Sequence, residues 1–328
     1  MFATAVTTEK NLKNIKKLSP FRLAIIDLGT NSIRFDVYRI NSKRMARLHR
    51  GKSMIRLGDG VFKTGALTPE AMARAMRVFQ AIRRQLRELR VDQVVAFGTS
   101  ALRSAKNSRD FLDEVRRKTG ISVRIISGQE EGRLIARGIM ANIAAPKGMY
   151  AMVDIGGGST EISLASGKRL MSCQSFPLGA NRLQQVYLKT MPPVHRRGEL
   201  NPVLALRQHL KDTLCPLTQL RERSPVKTLI GSSGTIRTIA RILKKLGRSN
   251  KPVYRADLSA IVSEMQTMTR RQLLKLPGLE SKRVDLILPG AILLEEIMLA
   301  FNIQTLYVTD IALRDGILHL ELGKRSAL

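Results

Sequence analysis

The chain has 328 residues, 44% of them hydrophobic, and carries 56 Lys and Arg against 26 Asp and Glu, a formal net charge of +30. That length suffices for two domains with large cores, and the composition excludes an intrinsically disordered chain. No uncharged apolar run approaches the roughly 18 residues of a membrane span, which excludes a helical membrane protein.

The first 20 residues hold four lysines and no apolar h-region, so they read as a basic lead-in rather than a secretory signal. The only cysteines, Cys173 and Cys215, lack metal-ligand spacing. A reducing, cytoplasmic setting with two thiols is expected. The basic excess is spread along the chain: residues 1–140 hold 29 Lys and Arg against 12 Asp and Glu, the remainder 27 against 14. Such a charge attracts polyanions, with nucleic acid as the default partner. Against that stand nine Phe, five Tyr and no Trp, with no basic stretch interleaved with aromatics for base stacking. A polyanion made of phosphate alone fits equally well.

In chain order, the apolar run Leu23–Ile26 leads into Asp27-Leu28-Gly29-Thr30-Asn31-Ser32, the pattern of a buried strand that ends in a tight turn. Ile33 to Ile40 and Arg44 to Arg50 follow as strands, with Asp36 placed where an apolar residue is expected. Thr68-Pro69-Glu70 starts a helix, Thr as cap and Pro at the first position. Its apolar face is Met72, Ala75, Met76, Phe79, Ile82, Leu86 and Leu89, and Arg74, Arg77 and Arg84 fall on a solvated face opposite. Val91 to Phe97 is a buried strand entering Gly98-Thr99-Ser100-Ala101-Leu102-Arg103. Asn107 with Asp110 caps the next helix, which Gly120 closes.

After a strand at Ile121 to Ile126, Ser127-Gly128-Gln129-Glu130 has the spacing of a capping box, which gives Glu130 a structural task and leaves Glu131 for chemistry. Ala145 to Gly148 reads as a linker. Met149 to Val153 is then a second buried strand, running into Asp154-Ile155-Gly156-Gly157-Gly158-Ser159-Thr160-Glu161. Consecutive glycine N–H groups can cradle an anion, and the two carboxylates that bracket the loop suit a hard cation. Strands to about Ser175, a helix after Gly179-Ala180-Asn181-Arg182, a loop at Met191-Pro192-Pro193 and helix over Leu200 to Leu220 come next. Strand Thr228 to Ile230 leads to a third small-residue loop, Gly231-Ser232-Ser233-Gly234-Thr235, and a helix from Ile236. Leu276-Pro277-Gly278-Leu279 and Leu288-Pro289-Gly290 punctuate two further helices. Thr305 to Thr309 is a strand, and Asp310 caps a last helix, Ile311 to Leu322. The alternation of strands and helices is α/β, and the repeated strand-turn-strand unit points to two related halves.

Taken together, Asp27-Leu-Gly-Thr-Asn-Ser-x-Arg34, Gly98-Thr-Ser-Ala-Leu-Arg103, Ser127-Gly-Gln-Glu-Glu-Gly-Arg133, Asp154-Ile-Gly-Gly-Gly-Ser-Thr-Glu161, Gly231-Ser-Ser-Gly-Thr235 and Thr309-Asp-Ile-Ala-Leu-Arg-Asp-Gly316 resemble the Ppx/GppA phosphatase family, in the family's order from about Arg22 to about Leu322. The resemblance implies two ribonuclease-H-like domains of the actin, sugar-kinase and heat-shock ATPase superfamily with an interdomain cleft. It implies a first domain over residues 21–140 that the last helix, 311–328, rejoins, and a second over 141–310. It further implies exopolyphosphatase activity, with removal of the terminal phosphate of guanosine pentaphosphate as the sister reaction. The family's catalytic glutamate falls on Glu131. Its substrate positions fall on Arg103, Asp154, Gly156, Ser159 and Glu161, with the first phosphate loop at Thr30, Asn31 and Ser32 and the second running through Gly157 and Gly158. Mg²⁺ held by Asp154 and Glu161, with Asp27 assisting, and a homodimer are the remaining implications. The helical extension of longer relatives is not expected, since the chain stops after the last core helix and no histidine precedes an Asp. A polyanion or nucleotide sensor, a nucleic-acid-binding protein and a kinase of the same fold are the rival readings.

Overall fold

The computed structural model describes residues 20–326 apart from 42, 43, 196, 197, 199, 224, 250 and 251. The basic lead-in expected over residues 1–20 therefore lies, but for Pro20, outside the described residues. Two compact units follow along the chain: the first runs to Ile143 and resumes at Ile311, and the second is Ala144–Asp310.

The first unit contains β1 (Phe21–Leu28), β2 (Ser32–Ile40), β3 (Met45–Met54), α1 (Val61–Thr64), α2 (Pro69–Glu88), β4 (Gln93–Gly98), α3 (Ser100–Ser104), α4 (Ser108–Thr119), β5 (Val123–Ile125) and α5 (Gly128–Asn142). The second contains β6 (Met149–Ile155), β7 (Thr160–Ser166), β8 (Arg169–Phe176), α6 (Ala180–Val186), α7 (Pro202–Arg223), β9 (Thr228–Ser232), α8 (Gly234–Lys245), β10 (Val253–Tyr254), α9 (Arg255–Thr267), α10 (Arg270–Leu273), α11 (Val284–Ala300) and β11 (Thr305–Val308). The last helix, α12 (Leu313–Ser326), packs on α5 and β1 of the first unit.

The sheets run β3-β2-β1-β4-β5 and β10-β11-β9-β6-β7-β8. In each, a three-strand antiparallel meander continues through parallel strands joined by helices, the ribonuclease-H-like arrangement twice over. The two-residue β10 adds an antiparallel edge to the second sheet. β1 and β6 are apolar without alternation because helices cover both faces of a central strand.

Thr68 caps α2 by accepting from the Ala71 N–H, and the buried stripe is Ala71, Ala75, Met76, Phe79 and Ile82. Of the three arginines expected on a solvated face, Arg77 and Arg84 are exposed. Arg74 is half-buried, and its Nε donates to the Ile55 carbonyl at 2.8 Å. Asn107 is not a side-chain cap: its amide both accepts from and donates to the Leu67 backbone, at 2.8 and 3.0 Å. Asp310 does not cap the last helix either, since it pairs with Arg237. Asp315 takes the capping task from inside α12, accepting from the Ala312 N–H at 2.8 Å.

Leu288-Pro289-Gly290 does not end a helix but lies within α11. Most of this helix is apolar and buried in the core of the second unit, where packing outweighs the lost hydrogen bond of a proline. Gly290 is required by contact, because a Cβ there would come 2.4 Å from Thr235 Cγ2.

A comparable contact holds α12 to α5. A Cβ on Gly316 would lie 1.8 Å from the Leu134 carbonyl oxygen, and one on Gly138 would lie 2.8 Å from Gly316 N. Gly316→Ala is therefore expected to force the two helices apart and to cost about 1–3 kcal/mol, the scale of overpacking. A urea unfolding midpoint unchanged from the parent would refute that contact.

Candidate functional site

The first unit presents a loop, Gly29 to Ser32, between β1 and β2. The Gly29 N–H closes the turn on the Ser32 carbonyl at 3.1 Å. The Asn31 carbonyl accepts from the Ile55 and Arg56 N–H groups at 3.1 and 3.0 Å, and the Thr30 carbonyl accepts from Gly58 N–H at 2.8 Å. In a trans peptide the C=O and the following N–H point in opposite directions. Pinning those two carbonyls into the unit turns the N–H groups of Asn31 and Ser32 outward.

The second unit repeats the device. The Gly156 N–H closes on the Ser159 carbonyl at 2.9 Å. The Gly156 and Gly157 carbonyls accept from the N–H groups of Ala180, Asn181 and Arg182, and Arg182 Nε donates to the Gly158 carbonyl at 2.9 Å. The N–H groups of Gly157, Gly158 and Ser159 consequently face away from α6. Gly179 makes this clamp possible, since a Cβ there would meet Gly158 N at 2.4 Å. The clamp escaped sequence reasoning, although the Gly179-Ala180-Asn181-Arg182 run at a helix start was its signal.

The acidic residues occupy equivalent places in both turns. Asp27 stands opposite Arg34 across β1 and β2, and Asp154 stands opposite Glu161 across β6 and β7. Directly paired residues share a sheet face, so Asp154 and Glu161 project together. Glu161 is 2% exposed and accepts from the Ser175 hydroxyl at 2.9 Å. On its other side Asp154 pairs in register with the buried Ser232 of the third small-residue loop. Two carboxylates among hydroxyl groups form a hard oxygen donor set, which fits a divalent cation that completes its shell with phosphate and water.

Asp27 has a different neighbourhood, with Arg34 Nη1 3.8 Å away. Burial pushes its pKa upward, opposed by the positive charges of Arg34 and Arg314. Among the described residues, no three His, Cys, Asp or Glu side chains gather into a ready metal cage.

Arg103 and Glu131 come together in the first unit. Arg103, on the one-turn helix α3, donates from Nη1 to Glu131 Oε2 at 2.8 Å and to the Ile126 carbonyl at 2.9 Å. The two side chains are 21% and 13% exposed, so the pair is shielded without being sealed. Ser127 caps α5 by accepting from the Glu130 N–H. The expected reciprocal bond from the Glu130 carboxylate is replaced by a two-pronged pair with Arg124, at 2.6 and 3.0 Å. Arg124 in turn lies over the Phe97 ring, 4.6 Å from its centroid. Glu130 thus remains structural through an arginine, while Glu131 sits in the first turn of α5, where the helix dipole favours an anion.

Asp36 also finds its partner here. Its carboxylate meets Arg314 of α12 at 2.5 Å, a contact of charge rather than of aligned hydrogen bonds, and it accepts from the Tyr38 hydroxyl at 3.2 Å. Burial first, and then the Asp36 charge, raise the Tyr38 pKa. Arg34 and Asp36 lie two residues apart on β2 and so share a sheet face, which sets Asp27's neighbour beside this charge pair.

The model of the Ppx/GppA phosphatase family matches residues 36–325. Exopolyphosphatase 1 of Mycobacterium bovis is 27% identical over 314 residues, covering 93% of this chain and 89% of that protein. A crystal structure of an exopolyphosphatase from Cytophaga hutchinsonii superposes with a TM-score of 0.82 at 27% identity, covering 92% of this chain and 98% of that one. The Aquifex aeolicus member of the Ppx/GppA family superposes with a TM-score of 0.75 at 26% identity, over 93% and 99% of the two chains. No helix among the described residues is long and apolar enough to cross a membrane.

Proposed function

The chain belongs to the Ppx/GppA phosphatase family, and on that premise we propose that it is an exopolyphosphatase, releasing orthophosphate from the end of inorganic polyphosphate. The observation that carries this reading is the repeated turn. Each unit pins its loop carbonyls inward and turns consecutive N–H groups outward, an arrangement suited to phosphoryl oxygens. The +30 net charge favours a long polyanion over a single nucleotide.

In the hydrolysis, a water oxygen bonds to the terminal phosphorus while the bridging P–O bond breaks, and the shortened chain leaves with the bridging oxygen. Glu131 takes the proton of the attacking water. Arg103 holds that carboxylate in place and brings its guanidinium charge to the phosphoryl group. Thr30, Asn31 and Ser32 on one loop, and Gly156, Gly157, Gly158 and Ser159 on the other, bind phosphate oxygens. Asp154 and Glu161, paired across β6 and β7, would hold Mg²⁺. A cation held there would offset the negative charge of phosphoryl transfer.

The test is phosphate release by the purified protein from long-chain polyphosphate and from guanosine pentaphosphate, each with Mg²⁺ and with chelator. Release from the polymer, lost on chelation, is expected. Release from the nucleotide alone would replace the polymer with guanosine pentaphosphate as substrate. Release from neither would refute a hydrolase.

A further inference from the structure

A hollow of about 600 Å³ opens between β3, the edge strand of the first sheet, and α2. It lies wholly within the first unit. Its floor is apolar, formed by Phe35 from the sheet and Val78, Ala81 and Ile82 from the helix. Two features of the sequence keep it open. Gly51, opposite Phe35, puts no side chain over the floor, and Ala81 is small where the helix faces it. The His49 ring lies over Gly51, where a Cβ would come 2.9 Å from its Nε2, and it stands 5.0 Å from the Phe35 ring at a 44° tilt.

The rim is polar and basic. His49, Ser53, Arg77 and Gln85 line the hollow, and none of these side chains has a hydrogen-bond or ion-pair partner among the described residues. Arg74 and Lys52 add positive charge, and none of the lining residues is Asp or Glu. Structural arginines of this protein are paired, as Arg74 with Ile55, Arg124 with Glu130 and Arg314 with Asp36 show. Arg77 has no such task. An apolar floor with a few convergent polar groups is the usual make-up of a small-molecule site, and the volume suits a ligand the size of a mononucleotide.

We infer that this hollow is a second ligand site, separate from the two phosphate loops, for a small organic phosphate. Its flat apolar body lies on Phe35, Val78, Ala81 and Ile82. Its phosphoryl group meets Arg77, with His49, Ser53 and Gln85 as further hydrogen-bond partners. Inorganic polyphosphate does not fit this site, because it has nothing to place on the floor. Nothing in the inference requires that the protein hydrolyse phosphoanhydrides.

Calorimetric titration of the full chain tests it, with adenosine 5′-monophosphate and 1-naphthyl phosphate as probes and glucose 6-phosphate and inorganic phosphate as anions without an apolar body. Both aromatic phosphates are expected to bind one molecule per chain, about tenfold or more tighter than either control, as a desolvated ring requires. Arg77→Glu reverses the charge of an exposed, unpaired side chain and is expected to weaken them by about tenfold or more. Ala81→Phe fills the floor and is expected to weaken them similarly, while tripolyphosphate binding stays at the parent level in both variants. No binding of either aromatic phosphate, equal binding of glucose 6-phosphate, or aromatic binding untouched by both substitutions would each overturn the assignment. Because the readout is binding, failure here leaves the hydrolase reading to its own assay.

Discussion

Glu131→Gln is expected to slow phosphate release from polyphosphate by about 10²–10⁴-fold, the usual contribution of a positioned general base. The amide is nearly isosteric and can still accept from Arg103, which now donates to Glu131 Oε2 at 2.8 Å. Fold and polymer binding should therefore survive, since the loops proposed to bind phosphate are held by other residues. What the amide lacks is the basicity to take a proton from water. Measured kcat should fall while the polyphosphate Kd stays near that of the parent. Equal loss of binding and rate would instead mean that Glu131 organises the loop. An unchanged rate would remove it from the chemistry and turn attention to Asp154 and Glu161.

Asp36→Ala is expected to destabilise the protein by about 3–5 kcal/mol, because it leaves the Arg314 charge buried without its counter-ion. The side chains are 3% and 8% exposed, so water cannot replace the lost carboxylate. Asp36 also accepts from Tyr38, and the substitution deprives that buried hydroxyl of its partner as well. Removing both charges together, as in Asp36→Leu with Arg314→Met, should recover most of the loss, since a buried ion pair often only balances its own desolvation. The urea midpoints of Asp36→Leu, Arg314→Met and the double variant form a cycle with the parent that isolates the coupling. A double variant as unstable as the sum of the singles would show that the pair itself adds little, and that each side chain acts through other contacts.

Local signals in the sequence were read with most success where their physics is local. Thr68 with Pro69 starts α2 because a hydroxyl acceptor and a pre-set φ act within one turn. Gly120 closes α4 in the left-handed conformation for the same kind of reason. Ser127 caps α5 as expected, but its partner Glu130 turned to Arg124, which is three residues before the cap and reaches it only because β5 runs past the helix start. Asn107 and Asp310 carried good cap chemistry and were recruited by Leu67 and Arg237 instead. A short polar side chain satisfies whichever backbone or charge the fold brings closest.

By itself, the sequence determined the α/β class, the two Asp-x-Gly turns, their small hydroxyl and amide residues, and the family. These depend on hydrophobic periodicity and on glycine and proline chemistry, which act over a few residues. The tertiary structure alone decided how those turns are used. It set Asp154 opposite Glu161 but Asp27 opposite Arg34, locked the glycine loop under α6 through Gly179, and joined Asp36 to Arg314 across almost the whole chain. It also kept Pro289 and Gly290 inside a helix whose burial outweighs their local preference. Each of these depends on which distant surfaces come into contact, and a buried charge or a missing Cβ acquires its meaning only from the atoms on the other side.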